Sequence, residues 1–250
     1  MSTEKEFIEP SARTKSHVER ALEAFEIPLS SIRIYGFKQS GNAISTGLAN
    51  SATKMIALNE NISELDSVST SFHEAAHIKD DISNKIKIYA KWLTGAALIP
   101  YIALFPRSTQ YIERMFISRL VQTIFCASYG IIGSSLGFWF YYNAAIPWAI
   151  EQGEYRADKM SIEKMLSLNE LDPILTRLMN KQILKRNHRH KRIFGHPSAG
   201  AEYKAMKTTL QNNGYEVIKS HPGGSTNILE ISVTKNGNGR LIQRRINDKV

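Results

Sequence analysis

The sequence predicts a mainly α-helical protein with small β elements, an inserted two-helix transmembrane hairpin and a C-terminal β-hairpin. Two observations favour the helical hairpin: residues 120–150 carry no formal charge, and an earlier apolar stretch runs from Trp92 to Phe105. The β-hairpin is indicated because residues 228–234 and 240–246 alternate apolar and polar side chains around Asn236-Gly-Asn-Gly239. The shorter elements follow from local patterns.

The uncharged stretch is longer than the roughly twenty residues that a helix needs to cross a bilayer. Within it, Gly130, Gly133 and Gly137 have the spacing of small residues that allows close helix contact. The earlier stretch is shorter, but it reaches a spanning length if Lys87 and Lys91 extend their side chains to the interface. A re-entrant segment or a buried hairpin of soluble helices is the alternative.

The elements on either side of this hairpin are predicted from periodicity and capping signals. Ser63-Glu-Leu-Asp66 matches a capping box, with Asp in place of the usual Glu or Gln, so a helix is predicted from about Glu64 through His77. The other predicted elements are helices at 15–25, 154–166 and 173–186 and strands at 32–37, 42–48 and 54–58.

Composition limits the classes of function. The 250 residues carry a formal net charge of +9, but the sequence has no Cys/His finger, aromatic RNA-binding strand or Gly-rich phosphate loop, so no nucleic-acid partner is predicted. The single cysteine, Cys126, excludes an intramolecular disulfide and a cysteine-based metal site. The charged N-terminal residues lack the apolar core of a secretory signal. Any metal must therefore be bound by His, Asp or Glu.

The segment His73-Glu-Ala-Ala-His77 places two imidazoles four residues apart on one face of the predicted helix. This spacing suits one zinc ion and one activated water. One residue along a helix rotates the side chain by about 100°, so Glu74 does not easily join the two histidines as a ligand. It is placed instead as a general base. A surface helix with two solvated histidines is the alternative.

A catalytic zinc site usually has three protein ligands and a fourth position for water. Glu154 is the candidate third ligand because it follows the predicted hairpin, and an even number of crossings returns the chain to the side of the two histidines. Asp158 lies four residues further on the same helical face, where it could accept a hydrogen bond from a ligand histidine. A solvated acidic face is the alternative for these two carboxylates.

The HExxH segment, the predicted membrane hairpin, Glu154-Tyr-Arg-Ala-Asp158 and His196-Pro-Ser198 follow one another in this order. This conjunction resembles the M48 family of membrane-embedded zinc metallopeptidases, which includes the bacterial heat-shock membrane protease and the CAAX prenyl endopeptidase. The resemblance covers roughly residues 32–206 and implies a zincin-like HExxH metallopeptidase core.

The resemblance also implies roles for particular residues. It implies that His73, His77 and Glu154 bind Zn²⁺. It implies that Glu74 is the general base and that His196 steadies the oxyanion of the tetrahedral intermediate.

A further part of the resemblance concerns substrate binding. Residues 42–47 look like the family's strand before the catalytic helix. The substrate would then be held in extended form along this strand, since strand addition binds peptides through their backbone. The expected substrate-binding residues are Ala43, Ile44, Ser45 and Thr46.

These expectations divide the chain into four parts. They are residues 1–87, the N-terminal part of the peptidase domain with the HExxH helix; residues 88–150, the transmembrane hairpin; residues 151–222, the C-terminal part of the peptidase domain with the third zinc ligand; and residues 223–250, the β-hairpin extension.

The predicted function is that of a membrane-anchored zinc endopeptidase that cleaves peptides or damaged membrane proteins by Glu-assisted attack of zinc-bound water. Lysines and arginines flanking the hairpin outnumber those of its linker, which favours an integral protein of the bacterial inner membrane with a cytoplasmic catalytic side. The expected partners are the lipid bilayer and a peptide or membrane-protein substrate; no oligomeric state is predicted. An intramembrane protease and a non-catalytic membrane scaffold or receptor with a structural zinc site are the alternatives.

Overall fold

A computed structural model describes residues 5–39, 46–81, 84–85, 87–99, 119–186, 197–220 and 228–245. In chain order the elements are β1 (Lys5–Ile8), α1 (Ala12–Ala24), β2 (Arg33–Gln39), β3 (Gly47–Asn50), β4 (Met55–Asn59), α2 (Glu64–Lys79), α3 (87–99), α4 (Arg119–Phe140), α5 (Ile146–Ser167), α6 (Leu171–Arg186), α7 (Ala199–Asn212), β5 (Glu216–Ser220), β6 (Ile228–Lys235) and β7 (Asn238–Arg245). A π-helical turn, Tyr141–Ala145, connects α4 to α5. The chain divides into two compact units, residues 1–83 with 153–250, and residues 84–152.

The first sheet has the strand order β1-β2-β4-β3. β2 and β4 are parallel, whereas β1 pairs with β2 and β3 pairs with β4 in antiparallel register. Ile56, Ala57 and Leu58 of β4 are all buried, so this inner strand is covered on both faces. β3 is the last strand of the sheet, and the chain passes from β4 through a short turn into α2.

Helix α2 begins at the predicted capping box and is buried along most of its length. The Ser63 side chain accepts a hydrogen bond from the Asp66 backbone N–H at 3.2 Å, and its hydroxyl donates to the Asp66 carboxylate at 2.6 Å. Further along, Phe72 is fully buried, with its ring centroid 6.2 Å from that of Phe25 beyond the end of α1. The helix predicted from Glu64 is therefore present, and it lies in the core instead of on the surface.

The second sheet has the order β5-β6-β7, with both pairs antiparallel. Leu229, Ile231 and Val233 of β6 are buried, while the residues between them are only partly so. Asn236 and Gly237 connect β6 to β7 with φ angles of 52° and 80°. Such left-handed turns match the twist of paired strands, so β6 and β7 form the predicted C-terminal hairpin.

The predicted transmembrane hairpin of residues 88–150 is wrong. In the part of the chain that the structure describes, no helix is both long enough and apolar enough to cross a membrane. α4 has 22 residues, but its described side chains include Ser128, Ser134 and Ser135, and three of its residues are glycines. The prediction relied on the absence of charge, and uncharged residues of this kind add little to the free energy of membrane insertion.

The predictions that depended on these spans are wrong for the same reason. They are the membrane-anchored and integral membrane character, the location in the bacterial inner membrane and the orientation with a cytoplasmic catalytic side. The lipid bilayer was an expected partner because of these predicted spans, so that expectation loses its basis. The position of Glu154 also cannot follow from an even number of crossings, so its relation to the two histidines must come from the packing of α2 and α5.

The unit of residues 84–152 exposes several large apolar side chains. Trp92 on α3 is 75% exposed, and Phe138 and Trp139 on α4 are 66% and 60% exposed. Within this unit, a Cβ atom on Gly137 would lie only 2.9 Å from Leu98 Cδ1. The glycine therefore allows α3 and α4 to approach each other closely.

Candidate metal centre

Helices α2 and α5 bring together the three predicted metal ligands. His73 and His77 lie one turn apart on α2, with their ring centroids 4.6 Å apart and their planes at 89°. Glu154 lies on α5, and one ligand atom from each residue falls within 4.8 Å of the other two. His73 is 5% exposed, which excludes the alternative of two solvated surface histidines. His73, His77 and Glu154 therefore form a candidate metal-binding triad.

The distances between the ligand atoms fit a single small ion. His73 Nε2 lies 3.2 Å from Glu154 Oε2 and 3.0 Å from His77 Nε2, and His77 Nε2 lies 3.6 Å from Glu154 Oε1. Nitrogen and oxygen ligands bind tetrahedral zinc at 2.0–2.1 Å, which places them about 3.3 Å from one another. The triad thus requires only small adjustments to bind such an ion.

Asp158 occupies the outer position that the sequence predicts for it. Its Oδ1 atom lies 2.9 Å from His73 Nδ1, and the residue is 1% exposed. The Nδ1–H group of His73 donates a hydrogen bond to this carboxylate. The lone pair on Nε2 is then directed toward His77 and Glu154, where a metal would bind. The alternative of a solvated acidic face does not apply to Asp158.

Arg177 on α6 also contacts this histidine, and sequence analysis missed it. Its Nη2 atom lies 2.7 Å from Asp158 Oδ1 and 2.9 Å from His73 Nδ1. A usable signal was present in the sequence, because Ile174, Arg177, Leu178 and Lys181 follow the i, i+3, i+4, i+7 spacing of one helix face. Two cations in an otherwise apolar stripe indicate buried carboxylate partners.

The buried charges around Arg177 do not balance. The carboxylates that act on it or pair with it are Glu74, Glu154, Asp158 and Glu202. Among the described residues, two cations oppose these four carboxylates, Arg177 itself and Lys181, whose Nζ lies 2.5 Å from Glu202 Oε2. With both histidines neutral, these described groups together carry a net two negative charges in a region of low solvent access. A divalent cation at the triad would neutralise them.

Without a metal, a proton bound to His73 supplies part of the missing positive charge. Burial and the Arg177 charge lower the pKa of His73, but the charge of Asp158 and the hydrogen bonds to Asp158 and Glu154 outweigh them and raise it from 6.5 to about 9. Burial works against ionisation of Glu154, but hydrogen bonds from both histidines hold its pKa well below the usual value of 4.5. The metal-free triad therefore binds a proton at neutral pH.

Glu74, the predicted general base, is 7% exposed and lies against the edge strand β3. A Cβ atom on Gly47 of β3 would stand 2.7 Å from Glu74 Oε1 and 2.4 Å from Thr70 Cγ2. Only a glycine leaves room for both side chains at this point of the strand. The Glu74 carboxylate is therefore packed between α2 and β3.

Of the other predicted site residues, the structure describes Thr46 and leaves four undescribed. His196, the predicted oxyanion residue, and Ala43, Ile44 and Ser45 of the predicted substrate strand lie outside the described residues. Thr46 is described, and its carbonyl accepts a hydrogen bond from the Asn59 backbone N–H at 3.0 Å. It thereby extends the pairing of β3 with β4 by one residue.

Comparison of the chain with protein-family models, with curated proteins and with solved structures finds no match.

The raised pKa of His73 predicts how the stability of the metal-free protein depends on pH. The folded state binds this proton more tightly than the unfolded state, so the stabilisation is complete below pH 6.5 and is lost as the pH rises through about 9. We expect the free energy of unfolding of chelator-treated protein, measured by urea denaturation, to fall across this interval.

His73→Gln is the matched control, because it keeps a polar side chain but cannot bind the proton. Its free energy of unfolding should fall less over the same interval. If the variant and the parent protein lose the same free energy between pH 6.5 and 9, the pKa of His73 is not raised in the folded state.

Proposed function

We propose that the protein is a zinc-dependent endopeptidase in which His73, His77 and Glu154 bind the metal and Glu74 acts as general base. The observation that carries this proposal is the convergence of two imidazole nitrogens and one carboxylate from separate helices, with a second buried carboxylate directly after the first histidine. The resemblance of the HExxH and Glu154–Asp158 segments to membrane zinc metallopeptidases agrees with it in residue order, although the membrane part does not apply.

The chemistry of the ligands favours zinc among the common metals. Two imidazoles and one carboxylate are a ligand set typical of catalytic zinc, whereas calcium and magnesium prefer oxygen ligands alone. Among the described residues, three ligand atoms come together at this point. A structural zinc site is closed by a fourth protein ligand, whereas a catalytic site leaves that position for water.

Each residue of the site then has a definite task in peptide hydrolysis. Bound zinc supplies a Lewis acid that lowers the pKa of water and polarises the scissile carbonyl. Glu74 accepts the proton of the attacking water and transfers it to the departing amine, so one carboxylate serves as base and then as acid. Asp158 keeps the proton of His73 on Nδ1 during these steps.

The position of β3 suggests how a peptide is presented to Glu74. β3 is the edge strand of the first sheet, and its residue Gly47 lies beside the Glu74 carboxylate. A peptide aligned along this edge in extended form would pass its backbone carbonyls close to the general base. We therefore expect an unfolded or extended polypeptide as substrate, bound mainly through its main chain.

A non-catalytic protein that keeps a structural zinc site is the second candidate. The three-ligand cluster and the buried carboxylate beside it favour the enzyme, because a purely structural site has no use for a base at this position. Stoichiometric zinc together with no turnover of casein or of varied peptides would favour the second candidate.

Glu74→Gln should abolish peptide cleavage while leaving zinc bound, because the amide cannot accept the proton of the attacking water. General acid–base catalysis contributes about 10²–10⁴-fold to rate, so we expect a loss of at least about 100-fold in casein hydrolysis. Glu64→Gln is the control, since Glu64 is exposed in the first turn of the same helix. Cleavage by Glu74→Gln at the rate of the control would exclude the mechanism.

Gly47→Ala should reduce turnover without releasing zinc, because its Cβ would force Glu74 or Thr70 out of position. We expect kcat to fall about tenfold or more, since small misplacements of catalytic groups have effects of this size. Gly95→Ala provides the comparison, because a Cβ there meets nothing within 4 Å. Equal kcat values for both variants would show that the contact between β3 and Glu74 does not position the base.

A further inference from the structure

We propose that Arg177 is a positioning residue of the metal centre. It holds Asp158 against His73, and so directs His73 Nε2 at the metal. The inference rests on the metal-binding part of the proposed function and does not require peptidase activity.

The first step of the argument is the geometry of three atoms. Arg177 Nη2, Asp158 Oδ1 and His73 Nδ1 form a compact triangle with sides of 2.7, 2.9 and 2.9 Å. The guanidinium can only donate hydrogen bonds, and a histidine that binds metal through Nε2 carries its proton on Nδ1. Both N–H groups must therefore point to the same oxygen, Asp158 Oδ1, which fixes the rotation of the imidazole.

The second step is the way in which the ion pair is made. Arginine and carboxylate commonly pair through two parallel hydrogen bonds. Here Asp158 Oδ2 and Arg177 Nε have no hydrogen-bond partner among the described residues, so the pair is made through Oδ1 alone. This arrangement gives up a second charge-assisted hydrogen bond. It also places the guanidinium edge directly beside the ring of His73.

The third step is burial. The side chain of Asp158 is 2% exposed and that of Arg177 is 11% exposed, so little water is available to replace either partner. Removing the guanidinium leaves a buried carboxylate whose one remaining donor, in the part of the chain that the structure describes, is His73 Nδ1–H. The carboxylate would then rotate or move toward solvent, and the histidine would lose its fixed orientation.

The position of Arg177 on α6 provides a matched control. Lys181 lies one turn further on the same helix and forms its own ion pair with Glu202. Lys181→Met therefore also removes a cation from this cluster and leaves a carboxylate unpaired. Lys181 acts on Asp158 through its charge, but no described hydrogen bond joins it to His73 or Asp158, so this variant reports the loss of charge without the loss of the Arg177 hydrogen bond. A general loss of stability in this region should affect both variants alike.

The experiment measures zinc affinity by competition with a chromogenic chelator in the parent protein, Arg177→Met, Arg177→Lys and Lys181→Met. Loss of a group that orients a metal ligand typically weakens metal binding about 10–100-fold. We expect Arg177→Met to raise the zinc dissociation constant by this factor, Arg177→Lys to recover part of the loss, and Lys181→Met to stay within about threefold of the parent.

A second readout follows the proton itself. In the zinc-loaded parent protein, the His73 Nδ1–H bonded to Asp158 should give a downfield resonance in the proton NMR spectrum, and Asp158→Ala assigns it by removing it. Arg177→Met should broaden or shift this resonance, and Lys181→Met should leave it in place.

Equal zinc affinity in Arg177→Met and the parent protein would overturn the proposal, and so would equal weakening in Arg177→Met and Lys181→Met. If Arg177→Met does not fold by circular dichroism, Arg177→Lys decides, because parent-like affinity and resonance in that variant would show that the guanidinium geometry is not required. A parent protein that binds zinc with the expected resonance but cleaves no peptide would contradict the peptidase, and leave the role of Arg177 intact.

Discussion

The structure depends on an electrostatic constraint at the contact of α2, α5 and α6. Each of these helices places ionisable side chains in the buried interior, and among the described residues that act on Arg177 the carboxylates outnumber the cations. Burying an uncompensated charge costs far more free energy than ordinary apolar packing returns in the same volume. The proton on His73 lowers this cost in the metal-free protein, and a divalent cation would lower it further.

This constraint links the fold to the proposed chemistry. Phe72 on α2 and Leu175 and Leu178 on α6 are fully buried on the helices that carry the charged residues, and the charged residues themselves have little contact with water. Low solvent access strengthens the interactions of Asp158 with His73 and with Arg177. The fixed orientation of His73 and the excess of buried carboxylates, Glu74 among them, therefore both follow from the burial of one polar network. That network is more stable when it contains a cation.

Local sequence patterns predicted the parts of the site that depend on one helix. The spacing of His73 and His77 and the capping box at Ser63 are properties of a single segment, and helix geometry alone relates their residues. The spacing of Glu154 and Asp158 is local in the same way. The contact between the two segments was expected from a membrane hairpin that is wrong, and it arises instead because α2 and α5 contribute to one buried cluster.

The remaining features depend on tertiary packing or on the apolar content of a long segment. The spacing on α6 could have indicated that Arg177 has a buried partner, but tertiary packing alone shows that it approaches His73 from a third helix. Gly47 resembles any strand glycine until Glu74 and Thr70 are seen beside it. Residues 120–150 lack charge and exceed the length of a membrane span, but serines and glycines dilute their apolar content, which the prediction did not weigh.

The most direct test of the central claim is anomalous diffraction at the zinc absorption edge from crystals of the zinc-loaded protein. The account predicts a peak with His73 Nε2, His77 Nε2 and a carboxylate oxygen of Glu154 all within about 2.0–2.2 Å. A zinc peak elsewhere, or Glu154 turned away from a metal bound by the two histidines, would contradict it.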